Sequence, residues 1–71
     1  MTAAQIDNIF TYHAPFGSQQ ERYVAIREQA KALAHLINGA CPESREKSIA
    51  LTQLQQAAQM ANASIAINET P

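Results

Sequence analysis

The sequence has few of the residues that let a small domain fold without a partner. Of its 71 residues one is a cysteine, Cys41, so a disulfide within the chain is excluded. One cysteine and two histidines, His13 and His35, do not provide the four ligands of a structural zinc site, and we expect no metal. Chains of this length usually need a disulfide, a metal or oligomerisation to offset the entropy lost on ordering. Association with copies of itself is what remains, and we expect a homo-oligomer.

Basic charge and long apolar runs are also scarce. Five Lys and Arg residues against six Asp and Glu residues give a formal net charge of −1. Nucleic-acid polymers and anionic membranes are bound mainly by clustered basic residues, so we expect neither as a partner. The start, MTAAQIDNIF, has no basic segment and no long apolar run, so we expect no signal peptide or membrane span. The unpaired cysteine fits a reducing, cytoplasmic location.

The residue patterns of common catalytic sites are missing as well. Cys41 follows His35 by six residues, but no third residue completes a nucleophilic triad. The acidic residues are scattered, and the two glycines, Gly17 and Gly39, do not form a phosphate-binding loop. We therefore expect a protein that is not an enzyme and holds no cofactor.

What is present is hydrophobic periodicity, which predicts one all-α domain over residues 1–71. We expect a short N-terminal helix and a long antiparallel helical hairpin: helix 1–10, an aromatic loop 11–17, helix 18–38, a turn 39–44 and helix 45–68. Ser18 with Glu21 forms a capping-box pattern, Gly39 is placed as a C-terminal stop, and Ser44 is a good N-cap. The tail, residues 69–71, is expected to fray.

Apolar residues at alternating spacings of three and four predict how the two long helices pack. The two seams are Tyr23, Ile26, Ala30, Leu33 and Ile37 on one helix, and Leu51, Leu54, Ala58, Ala61 and Ile65 on the other. The last helix has a second apolar row at Ala50, Ala57, Met60 and Ile67. This row is either a set of exposed small residues or a subunit interface, and the length of the chain favours the interface.

Aromatic and basic residues form two candidate binding features. Phe10, Tyr12 and Phe16 crowd with His13 into the irregular loop, either as anchors or as a stacking face for a nucleobase. Basic residues form a stripe at Arg27, Lys31 and His35, and a pair at Arg45 and Lys47. The stripe is either solvated or meets a small phosphate ligand, for which the start of the last helix offers free amides.

Six short segments, in their order and spacing, resemble those of the phage anti-CBASS type-two sponge family. They are FTYHAP at 10–15, QERY at 20–23, IR at 26–27, SREKS at 44–48, LTQL at 51–54 and MANA at 60–63. The resemblance extends from about Phe10 to Glu69, and the hairpin is also similar to that of the anti-Thoeris type-one sponge. It implies a helical homohexamer in the cytoplasm of the infected bacterial host. It also implies sequestration, without cleavage, of cyclic dinucleotides such as 3′,3′-cGAMP, which blocks activation of CBASS effectors.

The resemblance also implies site residues. By position, Tyr12 stacks on a base and Arg27 contacts the phosphates, while His13, Lys31, Arg45 and Lys47 are candidates from charge and proximity. Relatives that bind cyclic trinucleotides carry an arginine where this chain has Ile67, so trinucleotide binding is not expected. The alternative is a structural or regulatory helical interaction module without a nucleotide ligand. The test between them is whether Tyr12 and Arg27 face a cavity between subunits.

Overall fold

The structure, a computed structural model, describes residues 1–69 as three helices with no strand in that range. The helices are α1 (Ala3–Ile9), α2 (Gln19–Ala40) and α3 (Arg45–Asn68). The expected all-α fold is confirmed. No helix among the described residues is long and apolar enough to cross a membrane.

Side-chain caps begin α1 and α3, but α2 begins differently. At α1, Thr2 and Gln5 form a capping box, with Thr2 N donating to Gln5 Oε1 at 2.8 Å and Gln5 N to Thr2 Oγ1 at 3.1 Å. At α3, Ser44 Oγ accepts from Lys47 N at 3.1 Å, so the N-cap predicted at Ser44 is confirmed.

The capping box predicted from Ser18 and Glu21 is wrong. Ser18 makes no side-chain cap, and its hydroxyl instead accepts from Arg22 Nε at 3.0 Å. The chain enters α2 through a turn closed by Gln19 N donating to Phe16 O at 3.0 Å. Gly17 has φ +55 in this turn, a conformation that glycine adopts without steric cost.

The predicted stop at Gly39 is also wrong, because α2 runs through Gly39 to Ala40. Gly39 does not take the left-handed backbone of a helix C-cap; among the described residues only Gly17 has a positive φ. The helix ends before Pro42 instead. Cys41, the residue preceding it, has extended backbone at φ −106 and ψ 137, as residues before proline prefer.

The ends of the long helices are tied together, which shows that α2 and α3 are antiparallel. At the turn, Lys47 is buried, and its Nζ donates to Asn38 O at 2.9 Å and pairs with the Glu43 carboxylate. At the other end of the hairpin, Arg22 binds Glu69 through both oxygens, at 2.6 and 2.7 Å. The fraying expected of the tail is therefore wrong at Glu69; Thr70 and Pro71 lie outside the described residues.

The two long helices bury their seams only partly. Most predicted seam residues are half-buried, but Leu33 is 44% exposed and Ala34 takes its place against α3. A straight α-helix drifts relative to a strict heptad spacing, which accounts for the shift from Leu33 to Ala34. Within residues 1–69 no hydrophobic side chain is fully buried.

The molecule is one helix layer thick. It measures 44 × 28 × 13 Å, and a single α-helix with its side chains is about 10–12 Å across. Its radius of gyration is 15.2 Å, against about 11 Å for a compact chain of this length. The accessible surface, 5510 Å², exceeds the roughly 4,300 Å² of a compact monomer of this mass. Both faces of the hairpin are therefore open.

Candidate functional site

One face of the hairpin has a recess of about 420 Å³ where the aromatic loop meets α2 and α3. The loop supplies its rim, α2 one wall and the last part of α3 the floor. The residues that line it are Tyr12, His13, Pro15, Tyr23, Arg27, Asn62, Ala63 and Ala66. We call this the aromatic recess.

The loop aromatics divide into one anchor and two exposed rings. Phe16, which lies three residues before α2, is half-buried, as expected of an anchor. Phe10 and Tyr12 are 83% and 84% exposed, and of these two Tyr12 lines the aromatic recess. The anchor interpretation therefore fits Phe16, whereas Tyr12 presents an exposed ring beside the recess, and its stacking on a nucleobase stays a prediction.

His13 also lines the aromatic recess and is held in one orientation. Its Nε2 lies 2.7 Å from the carbonyl oxygen of Asn8, the last but one residue of α1. Because a carbonyl oxygen only accepts hydrogen bonds, Nε2 must carry the proton. The other ring nitrogen, Nδ1, is left as an acceptor when the ring is neutral and as a donor when it is protonated.

Arg27 and Lys31 lie one turn apart on the α2 face that bears the recess. Arg27 is exposed at the recess wall, one turn beyond Tyr23. It also borders a smaller recess of about 230 Å³ that Lys31 lines, so the two recesses share a wall. A ligand with two phosphates on the aromatic recess would meet one guanidinium and, further along α2, one ammonium group.

Asn62 is a recess residue that the sequence reasoning missed. Its Oδ1 is buried and, within the described part of the chain, has no hydrogen-bond partner. A buried acceptor without a donor costs about 1–3 kcal/mol, so such an atom is rare in a region that serves stability alone. The signal in the sequence was an amide flanked by two alanines, Ala61 and Ala63, at a position that faces the recess.

The two remaining candidates, Arg45 and Lys47, are not brought to the aromatic recess. They lie in the first turn of α3, and Asn62 is about 25 Å further along that helix. Arg45 is exposed beside a separate recess of about 260 Å³. The Lys47 ammonium is buried in the turn and already bonded to Asn38 and Glu43.

The other face of the hairpin has an apolar groove of about 450 Å³. On α2, Ala25 and Gln29 lie two positions from Arg27, which places them about 200° around the helix from it. The groove is lined by Ala25, Ile26, Gln29, Ala30, Leu33, Leu54, Ala57, Ala58 and Ala61. Its side chains are apolar except for Gln29, so this face differs in chemistry from the face with the recess.

Among residues 1–69, the Asp, Glu, His and Cys side chains form no cluster of three that could hold a metal ion.

In the comparison with protein families, the model described as "Acb2/Tad1, hairpin domain" matches residues 2–66, which is most of the chain. The comparisons with curated proteins and with solved structures gave no match. The family match agrees with the resemblance read from the six short segments.

Proposed function

The chain belongs to the Acb2/Tad1 hairpin-domain family, and on that basis we propose that it is a phage sponge protein for cyclic dinucleotides. It binds messengers such as 3′,3′-cGAMP and holds them without cleavage in the cytoplasm of the infected bacterial host. CBASS effectors, deprived of their activator, then stay inactive.

The aromatic recess is the observation that carries the proposal. Small-molecule sites usually measure about 300–1,000 Å³, and the recess, at about 420 Å³, lies in that range. It combines an exposed ring, Tyr12, with a guanidinium, Arg27, which are the two groups that a nucleobase and a phosphodiester need. A phenol ring offers a stacking face at a low cost in side-chain entropy, since it has few rotatable bonds.

We assign the roles by position around the recess. Tyr12 stacks on a base, Arg27 donates to a phosphate, and Lys31 adds charge beyond Arg27. His13, with its proton on Nε2, turns Nδ1 towards the ligand. Arg45 lies far from this recess, and the Lys47 ammonium is already bonded to other groups in the turn, so we leave both out of the dinucleotide site.

We propose that the site is completed by a second protomer, in an assembly that the family resemblance implies is a homohexamer. The recess lies on an open face of a molecule one helix layer thick, and Tyr12 is 84% exposed. A cyclic dinucleotide has two bases and two phosphates related by an approximate two-fold axis. Two copies of the recess across a two-fold axis would present matching groups to both halves of the ligand.

Trinucleotide binding is not part of the proposal. Ile67, which stands where trinucleotide-binding relatives have an arginine, is an apolar and half-buried residue beside α1. Its side chain cannot donate to a phosphate. Little or no heat is expected on titration with 3′,3′,3′-cyclic triadenylate, and tight binding would show that Ile67 is not diagnostic.

A structural or regulatory interaction module without a nucleotide ligand is the second candidate. The apolar groove and the lack of fully buried hydrophobic residues among residues 1–69 favour association of some kind. The module requires only the apolar groove, whereas the sponge requires both faces. Nucleotide binding therefore separates the two functions.

Calorimetric titration with 3′,3′-cGAMP tests the proposal. Stacking on one base is worth about 1–3 kcal/mol, so Tyr12→Ala should weaken binding about 5- to 150-fold. Arg27→Ala should weaken it by a similar factor because a charge-assisted contact is lost. The control is Arg45→Ala, which removes the same charge far from the recess and should leave the affinity unchanged. An absence of heat with every cyclic dinucleotide would overturn the proposal.

A further inference from the structure

The irregular loop between α1 and α2 carries two residues of the aromatic recess, Tyr12 and His13. No helix or strand hydrogen bonds fix residues 11–16, so contacts with the rest of the molecule must set their conformation. The described contacts are few: Thr11 Oγ1 donates to Asp7 O in α1, and the contacts through Asn8 and Gln19 lead to residues 67–69.

The first contact runs through Gln19. This residue is the most buried of those that the structure describes, with 2% of its surface exposed. Glutamine side chains are mostly exposed in proteins, whereas here the amide is buried and both its oxygen and its nitrogen form hydrogen bonds. Its Oε1 accepts from Phe16 N at 3.1 Å, and its Nε2 donates to Glu69 Oε1 at 3.1 Å. One amide therefore connects the end of the loop to the residue that follows α3.

Glu69 is itself fixed by a charged fork. Arg22 Nη1 lies 2.7 Å from Oε2, and Arg22 Nη2 lies 2.6 Å from Oε1. Two parallel hydrogen bonds of this kind set the plane of a carboxylate as well as its position. The acceptor that Gln19 uses therefore has a defined place.

A second connection runs through Asn8, which precedes Tyr12 in the chain. Asn8 Nδ2 donates to the carbonyl of Ile67 at 3.0 Å, and His13 Nε2 donates to the carbonyl of Asn8 at 2.7 Å. Tyr12 lies between the end of α1 and the Gln19 contact, and both connections end on residues 67–69. The exposed ring thus sits on a segment whose two sides are tied to the same end of α3.

We propose that Gln19 is a positioning residue for ligand binding: with Glu69 it holds the loop in the conformation that presents Tyr12 and His13 to a cyclic dinucleotide. The inference rests on the proposed function, and it names a residue that does not line the aromatic recess. If the loop is loosened, only a fraction of molecules have the binding-competent loop, and the apparent dissociation constant rises by the inverse of that fraction. The loss falls on the association rate, because a bound ligand holds the loop itself.

Exchanging the amide of Gln19 and the carboxylate of Glu69 tests the proposal. Gln19→Glu keeps the acceptor for Phe16 N but puts two carboxylates together, so binding of 3′,3′-cGAMP should weaken about tenfold or more. In the double variant, which combines Gln19→Glu with Glu69→Gln, the amide and the acid change places. The amide introduced at position 69 then donates to the carboxylate introduced at position 19. That carboxylate still accepts from Phe16 N, but the amide at position 69 offers Arg22 one acceptor oxygen in place of two, so only part of the affinity should return.

Two further variants separate positioning from general loss of stability. Glu43→Gln removes the ion pair with Lys47 at the opposite end of the hairpin and should leave affinity and association rate unchanged. Gln19→Met keeps the length and neutrality of the side chain without its hydrogen bonds. It provides the test if Gln19→Glu does not fold, and should lower the association rate about tenfold with little change in dissociation.

The outcomes are distinct. If the unaltered protein does not bind 3′,3′-cGAMP or another cyclic dinucleotide, the proposed function fails and this inference falls with it. If it binds and a folded Gln19→Met variant binds equally well at the same rate, the positioning role alone is wrong. The proposal would also be overturned if the double variant restored none of the lost affinity and the association rate of Gln19→Glu were no lower than that of Glu43→Gln.

Discussion

At the scale of single residues, the aromatic recess combines groups that stabilise the fold poorly with groups suited to a ligand. Tyr12 leaves 84% of its surface exposed, and Asn62 keeps a buried acceptor without a partner among the described residues. Neither arrangement lowers the free energy of the isolated chain. Both are expected where a site trades stability for binding.

Replacement of Asn62 by leucine, which has nearly the same shape, tests this trade. Loss of an unpaired buried acceptor should raise the free energy of unfolding by about 1 kcal/mol. The same change should weaken binding of 3′,3′-cGAMP, because the floor of the recess loses its polar group. Thermal denaturation and calorimetry measure the two effects. A lower stability with unchanged affinity would show that Asn62 Oδ1 is paired in the native protein.

Candidate site residues could be identified in the sequence from their chemical type, but whether each side chain is free or already paired could not be. Tyr12, His13 and Arg27 were candidates by type and by resemblance, and the structure brings these three to one recess. Lys47 was a candidate by charge, yet its ammonium is bonded inside the turn. Whether a basic side chain is free depends on acceptors such as the Asn38 carbonyl, a group that every residue has and that leaves no mark in a sequence.

At the scale of the helices, the contact between Glu69 and α2 makes stability depend on pH. The Arg22 side chain, followed by Gln19, donates to the carboxylate and lowers the pKa of Glu69 from an ordinary 4.5 to about 2. A lowered carboxyl pKa stabilises the fold above the ordinary value, and the contribution is lost as pH falls towards 2.

We therefore expect the melting temperature to fall between pH 4.5 and pH 2, and to fall less steeply in Glu69→Gln. Thermal denaturation across that pH range measures the difference between the two proteins. Glu43→Gln, which also removes one carboxylate, is the control and should retain the steep fall. Identical pH profiles for Glu69→Gln and the unaltered protein would contradict the role given to Arg22.

Substitution by alanine is expected to have opposite effects on stability at the two glycines. Gly39 lies inside α2, and an added Cβ would meet nothing within 4 Å, so Gly39→Ala should raise the free energy of unfolding by about 0.5–1 kcal/mol. Gly17 has φ +55, so Gly17→Ala should lower it by about 1–2 kcal/mol although its surroundings are also open. Chemical denaturation of both variants gives the comparison, and a stabilising Gly17→Ala would contradict the loop conformation.

The helices were predictable because periodicity extends over many residues, whereas their ends depend on a few local bonds. Helix α2 was expected over 18–38 and spans Gln19–Ala40. Gly39 resembled a helix C-terminal signal, but the helix ends before Pro42. Ser18 resembled a cap, but Arg22 engages its hydroxyl. The charged fork between Arg22 and Glu69 joins residues 47 positions apart and had no local signal.

At the scale of the whole molecule, the hairpin has two open faces of different chemistry. The apolar groove lies on one face and the aromatic recess on the other. A chain with no fully buried hydrophobic residue among those described, and a surface well above that of a compact monomer, is expected to gain most of its stability from association. We expect the apolar groove to lie at contacts between copies of the chain.

Ala57→Glu, a charge placed in the apolar groove, should therefore reduce the mass of the assembly. We also expect it to weaken binding of 3′,3′-cGAMP, although Ala57 lies outside the recess, because we propose that a second protomer completes the site. Gln56→Glu adds the same charge at the neighbouring exposed position of α3 and is the control. Light scattering measures the mass. An Ala57→Glu protein of unchanged mass would show that the groove is not an interface.

The central claim, that the protein holds a cyclic dinucleotide and does not cut it, has a direct test. The protein is incubated with 3′,3′-cGAMP, separated from free nucleotide and heated, and the released nucleotide is analysed by chromatography and mass spectrometry. We predict that intact 3′,3′-cGAMP is recovered in proportion to the protein, and that far less is recovered from the Tyr12→Ala variant. Recovery of a linear or hydrolysed product, or of no nucleotide at all, would contradict the account.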